Sequence, residues 1–286
     1  MWWGWLASFA SALCYGLASV VQALAARAEP ATTRGVDPML LVRLVQRWRF
    51  VVGIGLDLAG FAAQLAALQV LPLFVVQAGV AASLAVTAVA ARPLLGSVLG
   101  ARAWAAVAVT IAGLGLLAGS AGVQGSGGAG AGTHLAVLVA AVVLGGVGVG
   151  AARAPRRVRA PALGLVAGLG FGVVAIAGRL LTELTPAALI GDPASYAIVL
   201  GGVVAFTFYA TALQAASVTT VTTLLVVGET VVPALVGVTL LGDHTRTGLV
   251  WLASLGFVAV LAGAAALARY GEPGSPGVAC RASDVS

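Results

Sequence analysis

The residues 61–69, Phe-Ala-Ala-Gln-Leu-Ala-Ala-Leu-Gln, return 145 positions later as residues 206–214, Phe-Thr-Phe-Tyr-Ala-Thr-Ala-Leu-Gln. The two stretches share their first phenylalanine and their final Ala-Leu-Gln. The copies lie in the second and seventh predicted spans, an odd offset of five spans, so the second copy is expected to be upside down relative to the first. Inverted repeats of this kind are a recurring design of secondary transporters, which bind substrate near the bilayer midplane between the halves. The repeat therefore predicts a duplicated membrane bundle.

The composition places the chain in lipid. Of its 286 residues, 60% are hydrophobic and only 8% are charged, and the mean hydropathy is +1.08. A soluble domain needs far more polar surface than this. Ala, Val, Leu and Gly form long unbroken runs instead of the weakly alternating strands of an outer-membrane barrel. The expected fold class is all-α.

Nine runs are long enough to cross about 30 Å of hydrocarbon, which takes roughly twenty helical residues each. We expect a polytopic bundle in which the first four and last four spans form an inverted repeat and the fifth span connects them. The predicted spans are 4–26, 48–70, 72–91, 103–122, 134–151, 161–182, 196–215, 218–241 and 248–268.

The spans divide the chain into four regions. The first repeat covers 1–122 and the second 161–269, and 123–160 holds a Gly-rich external loop, the connector helix and an Arg-rich cytoplasmic loop. The glycine-rich stretch 125–132 predicts a flexible linker, because no strand precedes it and no Lys-Ser/Thr follows it, as a phosphate-binding loop requires. The tail, 270–286, is expected to be disordered and cytoplasmic. The first apolar run is too long for a typical signal peptide, so we expect an uncleaved helix.

The net charge of +6 arises from fifteen arginines, no lysine and nine acids. Thirteen of the arginines fall in predicted loops on one side of the membrane. The positive-inside rule then places the N-terminus outside and the C-terminus in the cytoplasm of a multi-pass protein of the plasma (inner) membrane. The arginines are not interleaved with aromatic residues, which argues against nucleic-acid binding.

The duplication extends beyond the opening pair. Residues 13–16 in the first span parallel residues 170–172 in the sixth, and Trp104 in the fourth span parallels Trp251 in the ninth. The offset changes between segments, as expected when loops differ in length. Gly164, Gly168 and Gly172, spaced four residues apart, predict a face on which another helix packs closely.

These features resemble the drug/metabolite transporter superfamily, whose EamA-type repeats end with a proline-bearing helix, a Leu-x-Gly-acid turn and a glycine-containing last helix. The corresponding residues here are Pro233, Leu240-Leu241-Gly242-Asp243, Gly248 and Gly256. The nine-span layout, with Trp48, Gly53 and Val75-Val76-Gln77, is most similar to the NIPA-like branch, which implies Mg²⁺ transport. That branch carries an acid directly after a glycine of the second helix, whereas this chain has Gly60-Phe61. The resemblance therefore supports transport better than it supports Mg²⁺ as the substrate.

Three charged residues lie inside predicted spans, where each costs several kcal/mol unless it is paired or hydrated. Asp57 and Glu229 both lie roughly 14–15 Å from the cytoplasmic end of their helices, at 1.5 Å per residue. Two carboxylates at one depth predict a shared proton site or a cation site, and they are the expected ligands if Mg²⁺ is the substrate. The alternative is that each acid bonds a neighbouring helix or stays protonated. For Arg179, an i,i+4 pair with Glu183 is favoured over a place at the external mouth.

Other polar side chains within the spans are candidates to line the cavity, although most are expected to form hydrogen bonds between helices. They are Tyr15, Gln64, Gln77, Tyr209 and Thr230, together with Arg179. No nucleophile motif or cluster of histidine, cysteine and carboxylate is evident, so neither an enzyme nor a cofactor is expected.

The sequence thus predicts a secondary transporter that moves a small solute or cation by alternating access. A NIPA-like Mg²⁺ transporter and a non-transporting membrane scaffold or accessory protein remain as alternatives. The expected partners are the lipid bilayer and the small substrate, and a homodimer is left open.

Overall fold

The computed structural model describes residues 2–27, 48–95, 100–122, 124–125, 130–182, 185–213 and 218–270. Within these ranges the chain is helical and has no strand, which confirms the all-α prediction. The helices are α1 (Trp2–Arg27), α2 (Trp48–Leu68), α3 (Leu73–Leu95), α4 (Ala101–Ser120), α5 (Ala131–Ala152), α6 (Arg156–Leu180), α7 (Pro186–Gly191), α8 (Pro193–Leu213), α9 (Val218–Thr239) and α10 (Val250–Tyr270).

Nine helices among the described residues are long and apolar enough to cross a membrane, as predicted. Their ends lie within a few residues of those predicted. The tight connection expected near Pro72 is present, because α2 ends at Leu68 and α3 begins at Leu73. The C-terminal tail and most of the first arginine-rich connection lie outside the described residues.

Two local features differ from the prediction. The helix α5 already begins at Ala131, so the last part of the expected flexible linker is helical. The short helix α7 was not predicted, although Thr185 followed by Pro186 is a typical start signal. The Thr185 hydroxyl accepts a hydrogen bond from the Ala188 amide, and a proline at the first helical position loses no intrahelical bond.

The helices of the two predicted repeats pack in matching pairs. In the first repeat α1 packs against α2 and α3, and in the second α6 packs against α8 and α9. The helices α3 and α4 are also in contact, as are α9 and α10. The two groups meet where α4 packs on α10 and α3 packs on α9. Among the spans, α6 is the most buried, and α5 is the most exposed.

The matching extends to single contacts. A Cβ atom on Gly16 of α1 would lie 2.9 Å from the Ser83 carbonyl oxygen of α3. A Cβ atom on Gly172 of α6 would lie 3.4 Å from the Gly228 carbonyl oxygen of α9. Gly172 follows Gly16 by 156 positions, the offset between residues 13–16 and 170–172, and Gly228 follows Ser83 by 145, the offset of the opening pair. Helices of the two predicted repeats therefore approach each other at positions that these offsets relate.

The helices α6 and α9 approach closely because α6 presents small residues to its neighbour. Gly164 and Gly168 lie against the backbone of Val221 and Leu225, and Gly172 packs against Pro233. This contact confirms the packing role predicted for the three glycines. In lipid, association between spans depends on such close packing, since the hydrocarbon supplies no hydrophobic drive.

Gly168 is the tightest point of this contact and provides a test. In Gly168→Ala the new Cβ atom would lie 2.2 Å from the Leu225 carbonyl oxygen, so α6 and α9 must separate. We expect a loss of about 1–3 kcal/mol, the usual cost of overpacking, measured as a lower thermal unfolding temperature in detergent.

The matched control is Gly146→Ala in α5, where a Cβ atom would meet nothing within 4 Å. This variant should be neutral or slightly stabilised, because alanine has a higher helix propensity than glycine. Equal unfolding temperatures for the two variants would show that α6 and α9 are not held at this distance.

Candidate functional site

Glu229 faces the interior of the bundle. Its neighbours one turn away on α9, Leu225, Val226 and Pro233, are buried, whereas Val227, on the opposite side of the helix, is exposed. Residues three and four apart share a helix face. Val232, also three residues from Glu229, is exposed, so the half-buried Glu229 lies on the buried side of α9, close to its edge. Among the described residues, no hydrogen bond or ion pair to the Glu229 carboxylate is found.

A chain of hydrogen bonds reaches Glu229 from the first repeat. The Tyr15 hydroxyl donates to Gln64 Oε1 at 2.8 Å, and Gln64 Nε2 donates to Gln77 Oε1 at 3.3 Å. Gln77 Nε2 then donates to the backbone carbonyl of Glu229. This series, which we call the central polar chain, joins α1, α2, α3 and α9. It brings together four of the residues that the sequence singled out.

Asp57 lies on the buried face of α2, on the same side as Gly53, Gly60 and Gln64, and is half-buried. Gln22 of α1 packs over Gly53, where a Cβ atom would lie 2.6 Å from its Cγ. From there Gln22 Nε2 donates to Asp57 Oδ2 at 2.5 Å. The sequence did not identify this partner, because the register of α1 against α2 is set by the glycine.

Tyr15 lies in the vicinity of both acids. Its ring packs on Gly60, and its hydroxyl lies within electrostatic range of both Glu229 and Asp57. No hydrogen bond joins the two carboxylates within the described part of the chain. The two carboxylates therefore do not form a pair with each other. The hydroxyl of Tyr15 is the group that lies near both of them.

Tyr209 has the position in the second repeat that Gln64 has in the first, 145 residues earlier. Its hydroxyl lies near Thr222, which in turn follows Gln77 by 145 residues. The Tyr209–Thr222 pair thus corresponds in position to the Gln64–Gln77 pair. Tyr209 also lies within electrostatic range of Glu229, so both repeats contribute side chains to the surroundings of this acid.

Thr230 is fully buried, and its hydroxyl donates to the Val226 carbonyl of its own helix at 2.5 Å. Such a bond satisfies the hydroxyl within α9. Thr230 therefore packs in the core beside Glu229, and the other predicted residues of this group form the interhelical hydrogen bonds described above.

Arg179 lies apart from these residues and binds Asp243. The Arg179 Nη2 atom donates to Asp243 Oδ1 at 3.3 Å and to the Gly125 carbonyl at 3.0 Å. The Arg179 side chain is 9% exposed and the Asp243 side chain 0%. The expected partner, Glu183, lies outside the described residues.

Asp243 also accepts two backbone hydrogen bonds. Its Oδ2 accepts from the Leu73 amide at 2.6 Å, at the start of α3, and its Oδ1 accepts from the Gly125 amide at 3.0 Å. Gly242 has a φ of 70°, a left-handed conformation that glycine adopts without strain and that ends α9. The turn thereby directs Asp243 into the bundle. The acid of the Leu-x-Gly-acid motif thus joins α3, α6 and the segment after α4.

A pocket of about 480 Å³ lies at the N-terminal ends of α5 and α8 and is lined by residues 131, 134, 188 and 191–193. Within it His134 Nδ1 and Asp192 Oδ1 are 2.7 Å apart, and Asp192 Oδ1 also accepts from the Ala194 amide. Neither residue was among the candidates that the sequence offered. Within the described residues, no group of three or more His, Cys, Asp or Glu side chains is arranged to hold a metal ion.

No protein-family model, curated protein or solved structure matches the chain. The fold and the buried polar groups define a polytopic α-helical membrane protein.

Asp243 is expected to be the most important acid for stability. In Asp243→Ala, Arg179 keeps a buried charge without its carboxylate, and two backbone amides lose their acceptor. Breaking a buried pair in this way costs about 3–5 kcal/mol, which for a chain of this size lowers the unfolding temperature by roughly 10 °C.

The control for this prediction is Asp192→Ala, which removes the carboxylate of a partly exposed pair. Its effect should be limited to a loss of about 1 kcal/mol. An unfolding temperature for Asp243→Ala equal to that of the control would contradict the anchoring role.

Proposed function

We propose that the chain is a secondary transporter of the drug/metabolite transporter type that moves a small solute or cation across the inner membrane. Its two halves are inverted repeats, and access to the site alternates between the two sides. Glu229 and Asp57 are the proton or cation site. The observation that carries the proposal is the Glu229 carboxylate, which faces the bundle interior and has no hydrogen-bond partner among the described residues.

A lone carboxylate in such a place is costly to ionise, so it is retained where it serves a function. Taking up a proton removes the cost, and binding a cation offsets it. Either event changes the charge at the contact between the halves, where α3 meets α9. Coupled transport requires this link between occupancy of the site and packing of the halves.

Asp57 has a different environment, since Gln22 donates to its carboxylate. Asp57 thus already has a hydrogen-bond donor, whereas the Glu229 carboxylate has none among the described residues. We therefore assign the exchangeable proton or cation first to Glu229, and assign to Asp57 a supporting charge on the same Tyr15 hydroxyl. Magnesium accepts one or two carboxylates while it keeps several waters, so Mg²⁺ remains one candidate substrate.

The proposal is tested in proteoliposomes with the purified full-length chain. An entrapped pH dye reports proton flux during addition of a solute panel, and an entrapped Mg²⁺ dye reports metal flux. We expect Glu229→Gln to lose at least about tenfold in rate, because the amide can neither release a proton nor neutralise a cation. Asp57→Asn should reduce the rate less, and Asp192→Asn, an acid-to-amide control outside the bundle interior, should leave it unchanged.

The two alternatives give different results. Mg²⁺ flux without proton flux favours the NIPA-like alternative. Flux that is equal in wild type, Glu229→Gln and Asp57→Asn would overturn the carboxylate mechanism. No flux of any probe with correctly inserted protein would favour a scaffold.

A further inference from the structure

The proline of α9 lies four residues after Glu229. A helical amide donates to the carbonyl four residues earlier, and proline has no amide hydrogen to donate. Pro233 therefore leaves the carbonyl of Glu229 without its partner within the helix. In a membrane-spanning helix, a carbonyl without a partner is costly, since lipid offers no donor.

Gln77 supplies the missing donor from the other half of the molecule. Its Nε2 atom donates to the Glu229 carbonyl, and its side chain is only 2% exposed. A side chain of α3, in the first repeat, thus satisfies the carbonyl that the proline of α9 leaves without a partner.

The rest of the central polar chain fixes the orientation of Gln77. Because a carbonyl only accepts, the amide nitrogen of Gln77 must face Glu229 and its oxygen must face Gln64. Gln64 then donates with its nitrogen, and its oxygen is left to accept from the Tyr15 hydroxyl. Every nitrogen in the central polar chain therefore donates and every side-chain amide oxygen accepts, so each hydrogen bond has one possible direction.

This arrangement is present in only one of the two repeats. With the offset of 145, Leu84 corresponds to Glu229 and Ala88 corresponds to Pro233. The first repeat thus has neither the acid nor the proline. On the opposite side of α9, the backbone of α6 approaches Gly228, where a Cβ atom would lie 3.0 Å from the Leu169 nitrogen. The helices α6 and α3 therefore contact α9 at two adjacent residues, 228 and 229.

We propose that Gln77 is a positioning residue for Glu229, which it holds through the backbone carbonyl that Pro233 leaves free. This inference rests on the proposed role of Glu229 in transport. Gln77 sets where the carboxylate lies relative to the first repeat, and Pro233 makes that bond necessary. Glu229 carries both the carboxylate and the carbonyl that Gln77 binds. A change in the position of the carboxylate is therefore transmitted to α3 of the first repeat through Gln77.

The test is a double-mutant cycle in the full-length protein, with Gln77→Met and Pro233→Ala. The readout is the rate at which dicyclohexylcarbodiimide modifies Glu229, followed by mass spectrometry, with Glu229→Gln as the blank. Gln77→Met keeps much of the side-chain volume but removes the donor. We expect it to raise the rate of modification by at least about fivefold, the effect of losing one buried hydrogen bond.

In the Pro233→Ala background, residue 233 regains an amide hydrogen that bonds the Glu229 carbonyl within α9. Gln77→Met should then change the rate by less than about twofold, which is the non-additivity expected of coupled residues. Two controls should each stay within about twofold of wild type. They are Gln69→Met, whose donor serves the carbonyls of Gly178 and Leu181, and Pro93→Ala in α3.

Equal effects of Gln77→Met in both backgrounds, or no effect in either, would overturn the positioning role. If Gln77→Met alone cannot be purified, recovery of folded protein in the double variant supports the role, and failure in both backgrounds overturns it. Failure of the proposed function is recognised separately, as flux that is unchanged in Glu229→Gln. The labelling cycle does not depend on that flux.

Discussion

The constraint on which the structure depends is that backbone amides and carbonyls inside a lipid-solvated bundle need partners from the protein itself. Helices meet it along their length, and side chains meet it where helices end or break. Gln124 donates to the Leu68 carbonyl at the end of α2, and Gln69 donates to the Leu181 carbonyl after α6. Gln77 does the same for the Glu229 carbonyl that Pro233 leaves free within α9. Three glutamines thus supply donors where a carbonyl lacks its helical partner.

The same constraint explains why Asp243, which lies away from Glu229, joins several segments of the bundle. Asp243 accepts from the first amide of α3 and from the amide of Gly125, and it also binds Arg179 at the end of α6. Without Asp243 the two backbone amides would lose their acceptor, and Arg179 would keep only the Gly125 carbonyl. Stability and the proposed chemistry thus use different acids, since Asp243 has every oxygen engaged whereas Glu229 keeps a carboxylate without a described partner.

The two predicted repeats share contacts but differ at Glu229. The contact of Gly16 with Ser83 and that of Gly172 with Gly228 are related by the repeat offsets, and so are the Gln64–Gln77 and Tyr209–Thr222 pairs. Only the second predicted repeat has an acid at residue 229 followed four residues later by a proline, since Leu84 and Ala88 stand at the corresponding positions of the first. Similar packing in the two predicted halves is therefore compatible with an acid that only one of them carries at this position.

The sequence alone determined the nine apolar spans, the repeat offsets and the acids within the spans, because hydropathy and spacing are local properties of the chain. It also contained the four-residue spacing of Glu229 and Pro233, from which a free carbonyl could have been predicted. Tertiary structure alone decided that Gln22 binds Asp57, that Arg179 binds Asp243 and that Gln77 reaches Glu229. Those pairs join residues 35, 64 and 152 positions apart. Their register is set by the close contacts between helices, which no single helix specifies.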